Sequence, residues 1–231
     1  MNEAEGSLIT AAHELKTPLV LMRQLSIQLA QTDDASKRAA IVERIRLTAE
    51  RSLRLTDNLT KSIRLADTLF ELEPVQLNNI CSDVVEEISP LTHALGQKIT
   101  VGVMKKPLVV VANRDLLRSL LLGLIDNAAQ YNNENQCIEI TSRINRRSIA
   151  MSVRDHGPVI DLGEFRRLQR SVGQELQPIS SRPLSSGLGL MIANRFTEAM
   201  NGKLSLARHR SGGMTFTIDL PACRQLSLID G

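Results

Sequence analysis

The chain has 231 residues, 42% hydrophobic but only 2% aromatic, with no Trp, one Tyr and a formal charge of +3. That size admits one or two domains, the apolar content argues against disorder, and the few aromatics leave cores to Leu, Ile, Val and Ala. The small charge and the lack of stacking residues argue against nucleic-acid binding. Three widely spaced cysteines, Cys81, Cys137 and Cys223, fit no zinc pattern and read as reduced thiols, and no apolar run reaches the length of a membrane span.

Residues 1 to about 31 read as a first helix. Leu8, Ala12, Leu15, Leu19, Met22, Ser26 and Leu29 recur at alternating spacings of four and three, the beat of a helix packed on partner helices. His13 lies one residue off that seam, beside Glu14, with Thr17 one turn on. Pro18 lacks an N–H and crowds the carbonyl of residue 14, so a kink or local opening is expected just after His13. An exposed histidine with an acid beside it and a hydroxyl on the same side is the pattern of a reactive site. Gln31-Thr32-Asp33-Asp34 breaks the pattern and offers N-caps for a second helix, about 35 to 70, whose periodic residues include Ile41, Ile45, Leu55, Leu59 and Ile63. The short connection makes the two antiparallel neighbours. A hairpin alone buries too little, so a second copy of the chain completing a four-helix bundle is expected; the alternative is packing on the chain's own C-terminal part.

Glu71 to Pro74 reads as a linker. Beyond it the pattern alternates: a helix from Leu77 to about Leu95 ended by Gly96, strands Lys98–Val103 and Leu108–Val111, and an apolar helix from Arg114 to Tyr131. Strands Cys137–Ile144 and Ser148–Arg154 flank a turn at Asn145-Arg146-Arg147. The stretch from Gly157 to Ser186 is a long polar connection, of the kind that is usually functional. A helix from Leu188 to Met200 ends at Asn201-Gly202, and strands Lys203–Arg208 and Met214–Leu220 close a hairpin around Ser211-Gly212-Gly213. The fold class is α+β, with helices on one face of a mixed sheet.

Three patches of this second part carry chemistry. Ser185-Ser186-Gly187-Leu188-Gly189-Leu190 opens a helix, where glycines let the backbone approach a phosphate and free N–H groups favour negative charge. Asp155-His156-Gly157-Pro158 follows a strand, where an aspartate in a pocket accepts an exocyclic amine. Asp126-Asn127-Ala128-Ala129-Gln130-Tyr131 ends the apolar helix, where an asparagine oxygen suits Mg²⁺.

The hexapeptide His13-Glu14-Leu15-Lys16-Thr17-Pro18 resembles the phosphoacceptor box of two-component sensor histidine kinases. The later patches, in that order, resemble the family's asparagine box and its two glycine boxes, with Phe165 standing in for the phenylalanine box and Gly212-Gly213 for the last glycine patch. The resemblance runs from Leu8 to Leu220. It implies a dimerisation and phosphotransfer domain over 1–70, half of a dimeric four-helix bundle, and a Bergerat-type ATP-binding domain, an α/β sandwich, over 75–222. It implies autophosphorylation of His13 from ATP, Glu14 taking the imidazole proton, and Thr17 positioning a water for the reverse hydrolysis. Asn127 matches the Mg²⁺ ligand, Asp155 the residue that binds the adenine amino group, Gly157 the glycine beneath the base, and Gly187 and Gly189 the phosphate-loop glycines. Gln130, Tyr131 and Leu188 complete the implied nucleotide set, and the span between Gly157 and Gly187 would be the ATP lid. The implied partners are a second copy of the chain and the receiver domain of a response regulator, with no nucleic acid. The expected location is the cytoplasm, either free or as the cytoplasmic part of a longer membrane-bound sensor, since only twelve residues precede His13.

Four positions depart from the family pattern. Gly123 stands where a further asparagine is usual, Gln130 where a lysine is common, Val159 where a glycine follows the proline, and His156, read as an exposed turn residue, where a small polar residue is frequent. Two other readings follow: a phosphatase or scaffold with an eroded kinase site, and a Bergerat-fold kinase acting on a partner's serine. The second has no need of a His-Glu-x-x-Thr-Pro box.

Overall fold

The structure, a computed structural model, describes residues 3–65, 70–102, 107–133, 135–171 and 188–223, with only the backbone of 3–11, 13, 170 and 171. Helix α1 (Glu3–Ala30) is helical throughout, Pro18 included. Asp34 then caps α2 (Ala35–Arg64), its Oδ1 accepting from the N–H groups of Ser36 and Lys37 at 2.8 and 3.2 Å. Such a cap contributes about 1 kcal/mol and fixes where the second helix starts.

The two helices form the expected hairpin, but the packed seam of α1 is rotated from the expected one. Leu25 is 2% exposed, with Leu15, Pro18, Met22 and Leu29 partly buried, whereas Leu19 is 60% exposed and Ala12 and Ser26 also face out. Leu15, Met22 and Leu29 are common to both seams. Apolar residues flank that line on both sides, and the side that fits α2 carries Pro18 and Leu25. The other side is left outward together with Val20 and Ile27, and α2 likewise exposes Val42, Leu53 and Ile63.

The C-terminal part begins earlier than the linker reading has it. β1 (Glu73–Gln76) pairs antiparallel with β3 (Val109–Ala112), Pro74 opposite Val111. Proline is tolerated there because this two-stranded sheet leaves β1 an edge strand. α3 (Leu77–Ala94) buries Leu77, Ile80, Cys81, Val84 and Ile88 on one stripe. β2 (Lys98–Val101), β4 (Cys137–Ile144), β5 (Ser148–Arg154), β6 (Lys203–Arg208) and β7 (Met214–Pro221) form a mixed sheet in the order β2-β4-β5-β7-β6, with only β2 and β4 parallel.

α4 (Arg114–Tyr131) is the central helix. Asn113 caps it, its Oδ1 accepting from Leu116 N–H at 3.1 Å. Leu116, Leu117, Leu120, Leu121, Leu124, Ile125 and Ala128 are all at most 2% exposed, and each Leu→Ala change there costs about 2–5 kcal/mol. The partly exposed stripe Gly123, Asp126, Asn127 and Gln130 recurs at helical spacing and looks away from that core.

The polar connection after β5 is not wholly irregular. α5 (Leu162–Ser171) lies within it, capped by Asp161, whose carboxylate accepts from Gly163 and Glu164 N–H at 2.8 and 3.2 Å. Those bonds, the one from Gly163 first, hold the Asp161 carboxyl below its usual range. α6 (Leu188–Ala199) packs its buried Leu188, Ile192 and Phe196 against α4 and the sheet.

The hairpin also docks on the C-terminal part of its own chain, the alternative to packing with a second copy. Lys61 Nζ donates to Ser119 Oγ at 2.8 Å and Arg195 Nη1 to Ser62 Oγ at 3.4 Å.

Candidate functional site

A cavity of about 580 Å³ lies between the hairpin, α4 and α6, within the size range of small-molecule sites. Glu14, Thr17 and Pro18 of the hexapeptide line it from α1. Gly123, Asp126, Asn127, Gln130 and Tyr131 line it from α4, and Gly189 and Leu190 from the first turn of α6. Residues more than a hundred positions apart in sequence thus face one space. The side chain of His13 lies outside the described residues, as does all of Gly187; residues 172–187 of the expected lid are likewise outside.

Asn127 and Gly189 meet: a Cβ on Gly189 would sit 3.5 Å from Asn127 Nδ2. A Cβ there would only touch the carboxamide at van der Waals distance. At Gly123, one turn earlier on α4, a Cβ would have nothing within 4 Å. The missing side chain at this position is therefore not a packing requirement. Leu188 is fully buried and anchors the start of α6.

Asp155 and Gly157 do not line the cavity; they sit behind the last turn of α4. Asp155 is fully buried. Its Oδ1 accepts from Gly157 N–H at 2.9 Å and Met214 N–H at 3.3 Å, and its own N–H donates to the Met214 carbonyl at 3.0 Å. A Cβ on Gly157 would overlap the Tyr131 carbonyl oxygen, and one on Gly213 the Asp155 carbonyl oxygen. Gly213 also takes φ +79°, which disfavours any other residue. Backbone approaches this close explain why glycines bracket the aspartate.

His156 is not an exposed turn residue. Its side chain is 25% exposed, and Nε2 lies 2.8 Å from Glu139 Oε1. Its backbone is held on both sides: N–H donates to Asn132 Oδ1 at 2.8 Å, and the carbonyl accepts from Asn133 Nδ2 at 2.6 Å. Nearby, burial pushes the His209 imidazole below its usual pKa, and the charge of Arg154 adds to this.

The sequence reading missed two cations. Arg51 and Arg54 of α2 reach α4: Arg51 Nε lies 2.9 Å and Arg54 Nη2 3.6 Å from the Asp126 carboxylate, and Arg51 Nη2 also donates to Gln130 Oε1. The Gln130 position lacks the lysine common in the family, yet a positive charge stands beside it, supplied from another element. The only signal in the sequence was a pair of arginines three apart beside the apolar stripe of α2.

These residues suit an adenine nucleotide with magnesium. The glycines keep backbone close to the space, Asn127 offers a hard oxygen, and the cations of α2 flank the stripe that faces the cavity.

The comparisons with known proteins point the same way. Residues 112–224 match the family described as histidine kinase-, DNA gyrase B-, and HSP90-like ATPase. The sensor protein kinase PmrB of Pseudomonas aeruginosa is 29% identical over 227 residues, covering 95% of this chain and 46% of that protein. The adaptive-response sensory kinase SasA of Prochlorococcus marinus is 29% identical over 94% of this chain and 57% of its own length. The sensor protein CutS of Streptomyces coelicolor is 26% identical over 91% and 51%. The chain thus spans about half the length of the curated relatives it matches. Among solved structures, histidine kinase ThkA in complex with the response regulator TrrA superposes with a TM-score of 0.63 at 20% identity, over 92% of this chain and 60% of that one. Histidine kinase AdeS of Acinetobacter baumannii gives 0.61 at 16%, over 90% and 97%, and full-length ShkA in complex with AMPPNP gives 0.61 at 21%, over 96% and 46%. At these identities the structural likeness speaks to fold. No helix among the described residues is long and apolar enough to cross a membrane.

Proposed function

We propose that the chain, similar over nearly its whole length to sensor kinases, is a sensor histidine kinase core in which ATP bound between α4, α6 and the helical hairpin phosphorylates His13. The observation that carries this reading is the shared cavity, lined by Glu14 and Thr17 from the histidine box and by Asn127, Gln130 and Gly189 from the nucleotide patches. The neutral imidazole of His13 attacks the γ-phosphorus, ADP leaves, and Glu14 accepts the imidazole proton. Asn127 Oδ1 would hold Mg²⁺, whose charge offsets that building on the phosphate oxygens. Asp155 selects the adenine amino group and Gly157 makes room beneath the base. Leu188 and Gly189 at the start of α6 bring backbone N–H groups toward the phosphates, and Gly187, outside the described residues, is assigned to the same phosphate loop. Tyr131 closes the base end, and Gln130, with Arg51 beside it, faces the phosphate end. Catalysis of this kind is mostly alignment and charge stabilisation.

Residues 1–70 then act as the dimerisation and phosphotransfer domain and 75–222 as the ATP-binding domain. A second copy of the chain covers the outward apolar residues Leu19, Val20, Ile27, Val42, Leu53 and Ile63. A receiver domain docks on the hairpin and takes the phosphoryl group on an aspartate, by analogy with the ThkA–TrrA complex. Glu14 and Thr17 also serve the reverse reaction, hydrolysis of the regulator's phosphate. Incubation with γ-labelled ATP and Mg²⁺ tests the reading. The expected result is acid-labile, alkali-stable label that disappears in His13→Gln and falls about 100-fold in Asn127→Ala, a size common for loss of one stabilising group. Label that survives His13→Gln contradicts it.

A further inference from the structure

The outer face of the sheet carries a second constellation, on the strand β4 and the loop that leaves β5. Glu139 stands opposite Arg154 in the antiparallel ladder, so the same register carried two residues outward sets Cys137 beside His156. Ile138 and Ile140 point into the core, which turns Cys137 and Glu139, two residues apart, to the other face together. Glu139 Oε1 is 2.8 Å from His156 Nε2 and 4.0 Å from Cys137 Sγ, and the three donor atoms all lie within 4.8 Å of one another. All three residues are half-buried.

We propose that Cys137, Glu139 and His156 form a binding site for a borderline-soft divalent transition metal, zinc being the best fit. Tetrahedral zinc binds sulfur at about 2.3 Å, imidazole nitrogen at about 2.0–2.1 Å and carboxylate oxygen at about 2.0–2.2 Å, which sets donor atoms roughly 3.3–3.7 Å apart. The cluster meets that spacing with side-chain shifts of about an ångström. A thiolate and a carboxylate supply two negative charges against the ion's two positive ones, and a neutral imidazole completes three protein ligands. The fourth position is left to water, as in open zinc sites. Binding replaces the thiol proton of Cys137, which goes to solvent.

Two features prepare the site. The backbone of His156 is pinned by the side chains of Asn132 and Asn133, so the imidazole is presented without ordering a loop. Lys98 stands opposite Cys137 on β2 and Arg154 opposite Glu139 on β5, so cationic residues flank the two ligands that would carry negative charge. The site stands independently of the nucleotide reading. If both hold, an ion on His156 clamps the residue between Asp155 and Gly157.

The test is titration of tag-free, chelator-treated protein with Co²⁺ in the absence of nucleotide, followed by Zn²⁺. One equivalent is expected to bind with a thiolate-to-cobalt charge-transfer band that Zn²⁺ abolishes. The band should be lost in Cys137→Ser, persist in Cys223→Ser, and need at least tenfold more Co²⁺ in Glu139→Gln and His156→Gln. Absence of a thiolate band in the wild type, or a band that survives Cys137→Ser, overturns the site. Melting of metal-free Cys137→Ser at the wild-type temperature separates lost ligation from misfolding. Were that variant not to fold, His156→Gln decides, with undiminished Co²⁺ affinity as the contrary result.

Discussion

The base end and the phosphate end of the proposed nucleotide site, both on the C-terminal half of α4 (Arg114–Tyr131), are built by opposite means. At its C-terminal end, Tyr131 meets Gly157, and Asp155 is buried under Gly213 with its carboxylate taking two backbone N–H groups. Asp155 and Gly157 are held there by neighbouring backbone, with no group contributed by the hairpin. From the residue before Tyr131 back over two turns, the helix faces the cavity with Gln130, Asn127, Asp126 and Gly123. Here one position is open space and one lacks its usual cation, and the positive charge comes from Arg51 and Arg54 on a separate hairpin. The base end is over-determined by local packing. The phosphate end depends on groups lent across an interface, so its competence depends on how the hairpin is docked.

The largest expected effect is at the fixed end. Gly157→Ala forces a methyl into the Tyr131 carbonyl, an overpacking that costs about 1–3 kcal/mol. Melting should show that loss, and calorimetry should show nucleotide affinity falling by tenfold or more; an unchanged melt and affinity would make the two ends alike. Gly123→Asn sharpens the contrast from the other side. The new side chain enters open space, so folding should be unharmed, and replacing a mid-helix glycine gains up to about 0.5 kcal/mol. Mg²⁺-dependent labelling should rise several-fold, and a fall would mean the space is needed empty. Arg51→Ala and Asp126→Ala, combined in a double-mutant cycle followed by chemical denaturation, should couple by about 0.2–1 kcal/mol, because Arg51 is partly exposed. Zero coupling would remove the lent charge from the account.

The smallest effect is the pH dependence at His209. Its imidazole is held below its usual pKa by burial and by Arg154, so the folded protein binds this proton less readily than the unfolded chain. Stability from this source is fully present above the unfolded value, about 6.5, and is lost as pH falls through the lower folded value. His209→Gln should flatten the melting-temperature slope below about pH 6.5, and an unaltered slope would place the titration elsewhere.

Elements with strong periodicity and clear punctuation were legible in the sequence. The span Arg114–Tyr131 and the strands Cys137–Ile144 and Ser148–Arg154 stand where the pattern put them. β1 was missed because four residues containing Pro74 carry little pattern, and only its edge position makes the proline tolerable. α5 was missed because Phe165 and Leu168 are its only large apolar residues after Leu162, and its order comes from the Asp161 cap. The seam of α1 was misplaced since Leu15, Met22 and Leu29 serve two seams equally, and only the partner helix chooses. Of the residues named from motifs, Glu14, Thr17, Asn127, Gln130, Tyr131 and Gly189 line the cavity, but Arg51 and Arg54, which line it too, were not named. Their role arises from docking of α2 on α4, which no local pattern encodes. His156 was misjudged for the same reason, as its partner Glu139 lies seventeen residues away on a neighbouring strand.

The inequality of the two ends is tested most directly by calorimetric titration of the wild-type protein with ADP and with a non-hydrolysable ATP analogue, each with and without Mg²⁺. The account predicts affinities for the two nucleotides within about tenfold, or 1.4 kcal/mol, a modest effect of Mg²⁺, and loss of both in Gly157→Ala. An ATP analogue bound far more tightly than ADP, strongly dependent on Mg²⁺ and indifferent to Gly157→Ala, would contradict it.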